Sequence, residues 1–270
     1  MIGSSISVLV PCLNAATFVA EAVASAQNQM GPDDELIIQD GGSTDGTVDI
    51  LRAVCDKDNR LTLVQERDSG QSDALNKALA RATKAWVLWL NADDVILPGA
   101  MDSVRRRISE DPRAEVICGA HRILRSDGEV VDEFPGRLLT TSEVLRRGCA
   151  TFSGSVVMRT DLLRSVGGFR TDLQCTMDMA LQLEVAARTP RQSVIDEPIG
   201  ALRFHEASKT ARLWRVFLSE SMHLRRAYAS GLGEQVNAAT GAAILVASIP
   251  VFRIRLTPSY RRIRRLVAAR

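Results

Sequence analysis

An α/β fold, built on a mostly parallel central sheet flanked by helices, is what this sequence predicts, and three observations predict it. Up to about residue 120, short apolar runs alternate with helical patterns, as in successive βαβ units. The clearest run, Trp86–Leu90, has no polar face at all, as expected of a strand covered on both sides. The runs also stop abruptly on Asn, Asp and Gly, where a strand leaves the core. With 270 residues, 46% apolar and 24% charged, the chain has the composition of a soluble globular protein with a substantial core.

The first run, Ile6–Val10, reads as a strand rather than a leader peptide. No basic residue precedes it, the first Lys or Arg being Arg52, and it ends at Pro11. Further strands are predicted at Leu36–Ile38, Leu61–Val64, Trp86–Leu90 and Val116–Cys118. The intervening helices fall at Thr17–Gln27, Thr47–Val54, Asp73–Ala82 and Gly99–Ile108. Right-handed crossovers place the strand ends along one edge. Beyond residue 120 a hairpin is predicted over Ile123–Phe134, turning on Ser126-Asp127-Gly128. Helical patterns follow at Ser142–Arg147, Asp161–Ser165 and Met179–Ala187, then an α-rich stretch from about Thr210. A domain over 1–210 with a helical extension over 211–270 is the expected organisation, its halves dividing near residue 120.

Five scattered cysteines, with no CxxC pair, suit a reducing compartment and offer neither a zinc site nor a disulfide framework. No run approaches the length of a membrane-spanning helix, and no nucleic-acid partner is expected. A cytoplasmic location follows from this reading. Net charge is +2, yet residues 253–270 hold seven Arg and no acid, leaving −5 for the remainder (+2 − 7). From Pro258 on, Tyr260, Ile263, Leu266 and Val267 form one stripe among Arg261, Arg262, Arg264 and Arg265. That basic amphipathic pattern suits the inner face of an anionic membrane, and a solvated helix end carries the same residues.

Three strand ends collect polar residues. Trp86–Leu90 runs into Asn91, Ala92, Asp93 and Asp94, whose oxygens suit a hard divalent cation beside a diphosphate; an ordinary turn uses the same residue types. The second strand ends in Gln39-Asp40-Gly41-Gly42-Ser43, where Asp40 can accept hydrogen bonds from a nucleobase or ribose. Asp45 reads as a cap for the next helix. After the third strand, a polar loop enters a helix with Ser72 or Asp73 as its cap, and Asp73, Asn76 and Lys77 are candidate ligand contacts. Cys12 has no base partner in sequence, and Trp86 and Trp89 read as core.

Six stretches together resemble the family 2 glycosyltransferases of GT-A fold. They are SVLVPCLN (7–14), QDGGSTDGT (39–47), RDSGQSDALNKAL (67–79), WLNADD (89–94), GGFRTDLQCTMDMAL (167–181) and RFHEASKT (203–210). The resemblance implies the nucleotide-diphospho-sugar transferase fold and inverting transfer of a sugar from a nucleotide-sugar donor to an acceptor hydroxyl. It implies that Pro11, Leu13, Asn14 and Asp40 line the nucleotide pocket. Asn91-Ala92-Asp93 would be the DXD-type motif, with Mg²⁺ or Mn²⁺ bridging Asp93 and the diphosphate. Asp178 falls at the catalytic base, and His205 and Lys209 lie in a segment that closes over the diphosphate, as metal or phosphate contacts. A saccharide or lipid-linked acceptor in surface polysaccharide or glycolipid assembly is the implied partner.

Three residues depart from the pattern. Asn91 stands where Asp is frequent. After Asp178, the stretch resembling MDYDLWLR carries Ala180 for the second acid and Glu184 for the basic residue. Those losses keep a non-catalytic nucleotide-sugar binder in play. A nucleotidyltransferase would carry a Gly-rich basic loop after the first strand, which PCLNAATF lacks.

Overall fold

The computed structural model describes residues 3–204, 209 and 213–255. The chain opens with β1 (Ile6–Cys12), α1 (Val19–Gln27), β2 (Glu35–Asp40), α2 (Thr47–Cys55), β3 (Leu61–Gln65), α3 (Gln71–Arg81) and β4 (Trp86–Trp89). These are the predicted βαβ units, with ends within a few residues of expectation. β2 and β4 both pair with β1 in parallel, and β3 pairs with β2 in parallel. The chain thus winds outward from β1 in one direction and then returns to its other side. Such a switch point opens a crevice beyond the strand ends, where open α/β sheets bind ligands.

The second half completes the sheet differently. It adds β5 (Val95–Ile96), α4 (Ala100–Glu110), β6 (Val116–Arg125), β7 (Val130–Phe134), α5 (Thr141–Arg147), β8 (Val156–Arg159), α6 (Thr160–Ser165), α7 (Met177–Arg188) and β9 (Gln192–Phe204). Strand order is β3-β2-β1-β4-β8-β6-β9-β5, with β7 paired to β6 off this path. β8 lies antiparallel to both β4 and β6. The sheet is therefore parallel through its first four strands, β3-β2-β1-β4, and mixed beyond. The Ile123–Phe134 hairpin forms as predicted, but its first strand begins at Val116. β5, β8 and β9 carry no clear period-2 signal. β8 is only VVMR, and β9 is broken by Asp196-Glu197-Pro198, where its register on β6 shifts.

Alternate residues of each buried strand enter opposite layers, as the pleat requires. Ile6, Val8 and Val10 pack with α1, α2 and α4, whereas Leu9, Val87 and Trp89 pack with α3, α6 and α7. Two C-terminal helices, α8 (Trp214–Tyr228) and α9 (Leu232–Arg255), join the second layer. Leu224 and Ala238 are buried in the cluster that holds Leu145, Met179 and Leu183. Buried Arg225 donates from Nε to the Leu145 carbonyl at 2.9 Å. The helices after residue 213 thus contribute to this core. The tail beyond Arg255, with the Arg-rich stripe, lies outside the described residues, and no described helix is long and apolar enough to cross a membrane.

Candidate active site

The loops after β1 and β2 are latched together. Asn14, at φ 50°, donates its N–H to Ser43 Oγ at 2.8 Å and accepts the Thr44 N–H at 2.9 Å. Ala15 N–H reaches Thr47 Oγ1 at 2.8 Å, and Ala16 N–H reaches Asp45 Oδ2 at 3.1 Å. Asp40 is 1% exposed, and one oxygen accepts the Gly42 and Ser43 N–H groups, each at 3.0 Å. Its other oxygen accepts the Ser43 hydroxyl. Asp40 therefore anchors the turn after β2. Pro11 is buried, whereas Leu13 stands 58% exposed.

The expected helix caps shift. Gly46 and Gly70 occupy the N-cap positions, and neither Asp45 nor Asp73 caps by side chain there. Asp45 binds the Thr47 N–H and hydroxyl, and those bonds hold its carboxyl below the usual range. Asp73 accepts the Ser69 N–H at 2.9 Å and pairs with Lys77 at 3.5 Å. Asn76 ties two elements together. Its amide donates to the Phe169 carbonyl at 2.7 Å and accepts the Phe169 N–H at 2.8 Å, pinning the Gly167-Gly168-Phe169 turn to α3.

Beyond β4, Asn91 sits at the centre of a network. Its carbonyl oxygen accepts the Gln71 amide and the Trp89 indole N–H, each at 2.8 Å, and its amide donates to Asp94 Oδ2 at 2.8 Å. Asp94 is 1% exposed and also accepts the Arg203 backbone N–H at 2.8 Å. Arg203, itself 3% exposed, binds the Asp93 carbonyl at 3.1 Å, pairs with Glu21 at 2.7 Å and lies over the Phe18 ring. Asn91 and Asp94 are thus committed to one another and to their neighbours. Ala92 is buried, and Asp93 is partly exposed.

The chemistry of this edge fits a hard cation. Burial, and then the negative fields of Asp40, Asp45 and Asp93, push the Cys12 thiol up to about 12. Three carboxylates therefore act on one spot, and the thiol among them stays protonated. Mg²⁺ is commonly held by one or two carboxylates, with phosphate and water completing its shell, and Asp93 is the carboxylate suited to that duty. Among the described residues no group of three or more His, Cys, Asp or Glu side chains converges as a ready-made metal cage. His205 lies outside the described residues.

Asp178, at the start of α7, lines a mostly apolar cavity with Val87, Trp89, Met158, Phe169 and Gln182. Burial raises its carboxyl, against the opposing pull of the Met179 N–H at 2.8 Å, the Cys149 thiol and Lys209. Lys209 also reaches Gln71 Oε1 at 3.4 Å. Trp89 links the two halves, facing the Asp178 cavity while its N–H holds Asn91.

A protein-family profile for glycosyl transferase family 2 matches residues 7–158, more than half of the chain. The chain belongs to that family. Among curated proteins, the family 2 chain is 34% identical over 152 residues to the glycosyltransferase TuaG of Bacillus subtilis (strain 168), named for teichuronic acid biosynthesis. That match covers 54% of this chain and 60% of TuaG. A PGL/p-HBAD biosynthesis glycosyltransferase of Mycobacterium tuberculosis (strain ATCC 25618 / H37Rv) is 37% identical over 115 residues, 42% of this chain and 45% of the relative. The chain thus spans roughly half the length of the curated relatives it matches. Among solved structures, S. aureus TarS 1-349 in complex with UDP-GlcNAc superposes with a TM-score of 0.68 at 20% identity, covering 94% of this chain and 74% of that one. The mannosyltransferase PcManGT from Pyrobaculum calidifontis, in complex with GDP-Man and Mn²⁺, gives 0.59 at 23%, covering 95% and 81%. The fold is GT-A.

The matched family 2 region stops at residue 158, short of Asp178 and Lys209. In that later part both departures have structural occupations. Ala180 is 1% exposed in the core, and Glu184 accepts the Tyr228 hydroxyl from α8. Burial, followed by Glu184, pushes that phenol up to about 12. Sequence reading missed Gln71, Arg203 and Glu220. The first two stand inside the quoted motifs, where their partners were the missing information; Glu220 lies in none.

Proposed function

We propose that this chain is an inverting, metal-dependent glycosyltransferase that moves a sugar from a nucleotide-sugar donor to an acceptor hydroxyl. The observation that carries the reading is Trp89. Through it, the Asp93-bearing motif and a half-buried carboxylate on an apolar cavity meet at one side chain. Membership of family 2 supports the reaction class.

In this reading the latched loops around Asn14 and Asp40, with Pro11 and Leu13, receive the nucleotide. Asp93 holds Mg²⁺ or Mn²⁺ beside the donor diphosphate, with His205 a further contact for metal or phosphate. The ion supplies charge neutralisation for the departing nucleoside diphosphate. Asn91 and Arg203 keep Asp93 in place from behind. Asp178 accepts the acceptor proton as the hydroxyl oxygen attacks the anomeric carbon and the bond to the diphosphate breaks. Lys209 places positive charge between the diphosphate side and the base.

The acceptor enters from the later half. β5, β9 and β6 are adjacent, with Ile96 opposite Gly200 and Gly200 opposite His121, so His121 stands about 10 Å across the sheet from Ile96, just after the Asn91–Asp94 loop. His121 stacks on Phe134 at 5.3 Å and approaches Phe152 at 5.8 Å. Such aromatic faces suit the apolar face of a saccharide. A lipid-linked acceptor in surface polysaccharide or glycolipid assembly accords with the exposed Leu232, Val236, Ile244 and Val246 of α9, which leads into the Arg-rich tail. Peripheral attachment at a membrane's cytoplasmic face follows. In liposome co-sedimentation, equal binding by the full chain and by residues 1–252 would remove that part.

The central test is a thermal-shift screen of nucleotide sugars with and without Mn²⁺, since a bound donor raises apparent stability. A Mn²⁺-dependent rise that Asp93→Ala abolishes is expected; an unchanged rise in that variant would refute the metal assignment. Slow acceptor-independent release of free sugar and nucleoside diphosphate then separates a transferase from a binder.

A further inference from the structure

Glu220 lies on α8, 44 residues from Thr176, and no motif surrounds it. Its carboxylate accepts the backbone N–H of Gln174 at 2.7 Å, of Cys175 at 2.9 Å and of Thr176 at 3.0 Å. It also accepts the Thr176 hydroxyl at 3.1 Å. Thr176 is the N-cap residue of α7, and its side chain caps nothing. Consecutive N–H groups turned towards one point make an anion-binding nest, and here a side chain from another helix fills it. A negative charge at this place also complements the α7 dipole.

Two residues further on stands Asp178. Around it are the Cys149 thiol, Lys209 and the Met179 N–H, with Arg225 behind Cys149. Lys209 in turn feels the charges of Cys175, Glu220 and Asp178 together. Glu220 therefore touches the Asp178 environment by two routes, the backbone before α7 and the shared ammonium.

We propose that Glu220 is a positioning residue for transfer: it fixes the entry to α7, and so the aim of the Asp178 carboxylate, while sharing Lys209 with that carboxylate. The proposal rests on Asp178 being the base. It assigns the helices after residue 213 a part in the chemistry as well as in the core.

The experiment uses the full chain with aspartate labelled with carbon-13 at the side-chain carboxyl. The Asp178 signal is assigned by its loss in Asp178→Asn, then titrated in wild type, Glu220→Gln and Glu220→Ala. Without Glu220, Lys209 is left to Asp178 and water gains entry at the loosened turn. Both effects favour the ionised form, so the Asp178 titration moves down by about one pH unit in Glu220→Ala. Glu220→Gln, which keeps an acceptor oxygen and loses the charge, shows a smaller shift in the same direction. Turnover falls on the order of 10²-fold in Glu220→Ala, in kcat, with donor KM unchanged. An Asp178 titration superimposable on wild type in the folded alanine variant overturns the proposal. Should that variant fail to fold, Glu220→Gln carries the same criterion. Failure of the base assignment is separate: Asp178→Asn that still turns over removes it whatever the titration shows.

Discussion

At the scale of single residues, Asn91 is the instructive case. The amide at position 91 supplies what a carboxylate there could not. Asn91 donates to buried Asp94 while its oxygen satisfies Gln71 and Trp89. Asn91→Asp keeps the acceptor, deletes the donor and adds a charge beside Asp93 and Asp94. It is expected to lower stability by about 1–3 kcal/mol, the cost of leaving a buried polar group unsatisfied. Thermal denaturation reads this directly, and a Tm at or above wild type would show that the network contributes nothing. Asp178 gives the second residue-scale expectation. Burial raises its carboxyl, so the folded chain holds that proton more tightly than the unfolded chain does. The resulting stabilisation is complete below the unfolded value of about 3.9 and is lost as pH rises through the raised folded value. Asp178→Asn is therefore expected to be more stable than wild type near about pH 8, with the gap closing near about pH 3.5. A base must be ionised, so the acid limb of turnover should lie above the ordinary aspartate range.

At the scale of elements, side chains stand in for backbone pairing. Asn76 on α3 makes the two hydrogen bonds to Phe169 that a neighbouring strand would make, across 93 residues. Gly168, at φ 71°, leaves room for it, since a Cβ there would lie 2.5 Å from Asn76 Oδ1. Removing the amide in Asn76→Ala should cost about 2 kcal/mol, two net hydrogen bonds, and free the turn that carries Phe169 against Trp89. Urea unfolding checks the first effect. Limited proteolysis near residues 167–172 checks the second, and an unchanged cleavage pattern would argue that the turn is held by packing alone. The tie of Asn76 to Phe169 was not legible in sequence, because a polar residue in a polar motif carries no record of which element will face it.

At the scale of the whole molecule, the helices after residue 213 decide whether the rest is stable. Leu224 is fully buried, and Arg225 and Gly241 lie against the Leu145 and Arg146 carbonyls of α5. A chain ending at residue 213 would expose those faces of α5 and α7, and Glu220 would be gone from the turn before α7. Such a chain is expected to be insoluble or to lose its cooperative thermal transition; a well-folded 1–213 fragment would restore the picture of an appended extension. The division expected near residue 210 came from a change of pattern in sequence. Here the change marks where a fold moves from sheet to helix, with one core running across it.

The sequence by itself determined the first half of the sheet and the polar loops at its strand ends. Uninterrupted apolar runs, spaced by helical periods and ended by Asn, Asp and Gly, are local signals, and β1 to β4 form where they predict. What only the tertiary structure decided was partnership: the antiparallel entry of β8, the long β9 with its bulge, the tie of Asn76 to Phe169, and the hold of Glu220 on the turn before Asp178. Each depends on residues tens of positions apart meeting with suitable geometry. Propensity and periodicity act over one or two turns of chain, so they name the residues and leave open which of them will meet.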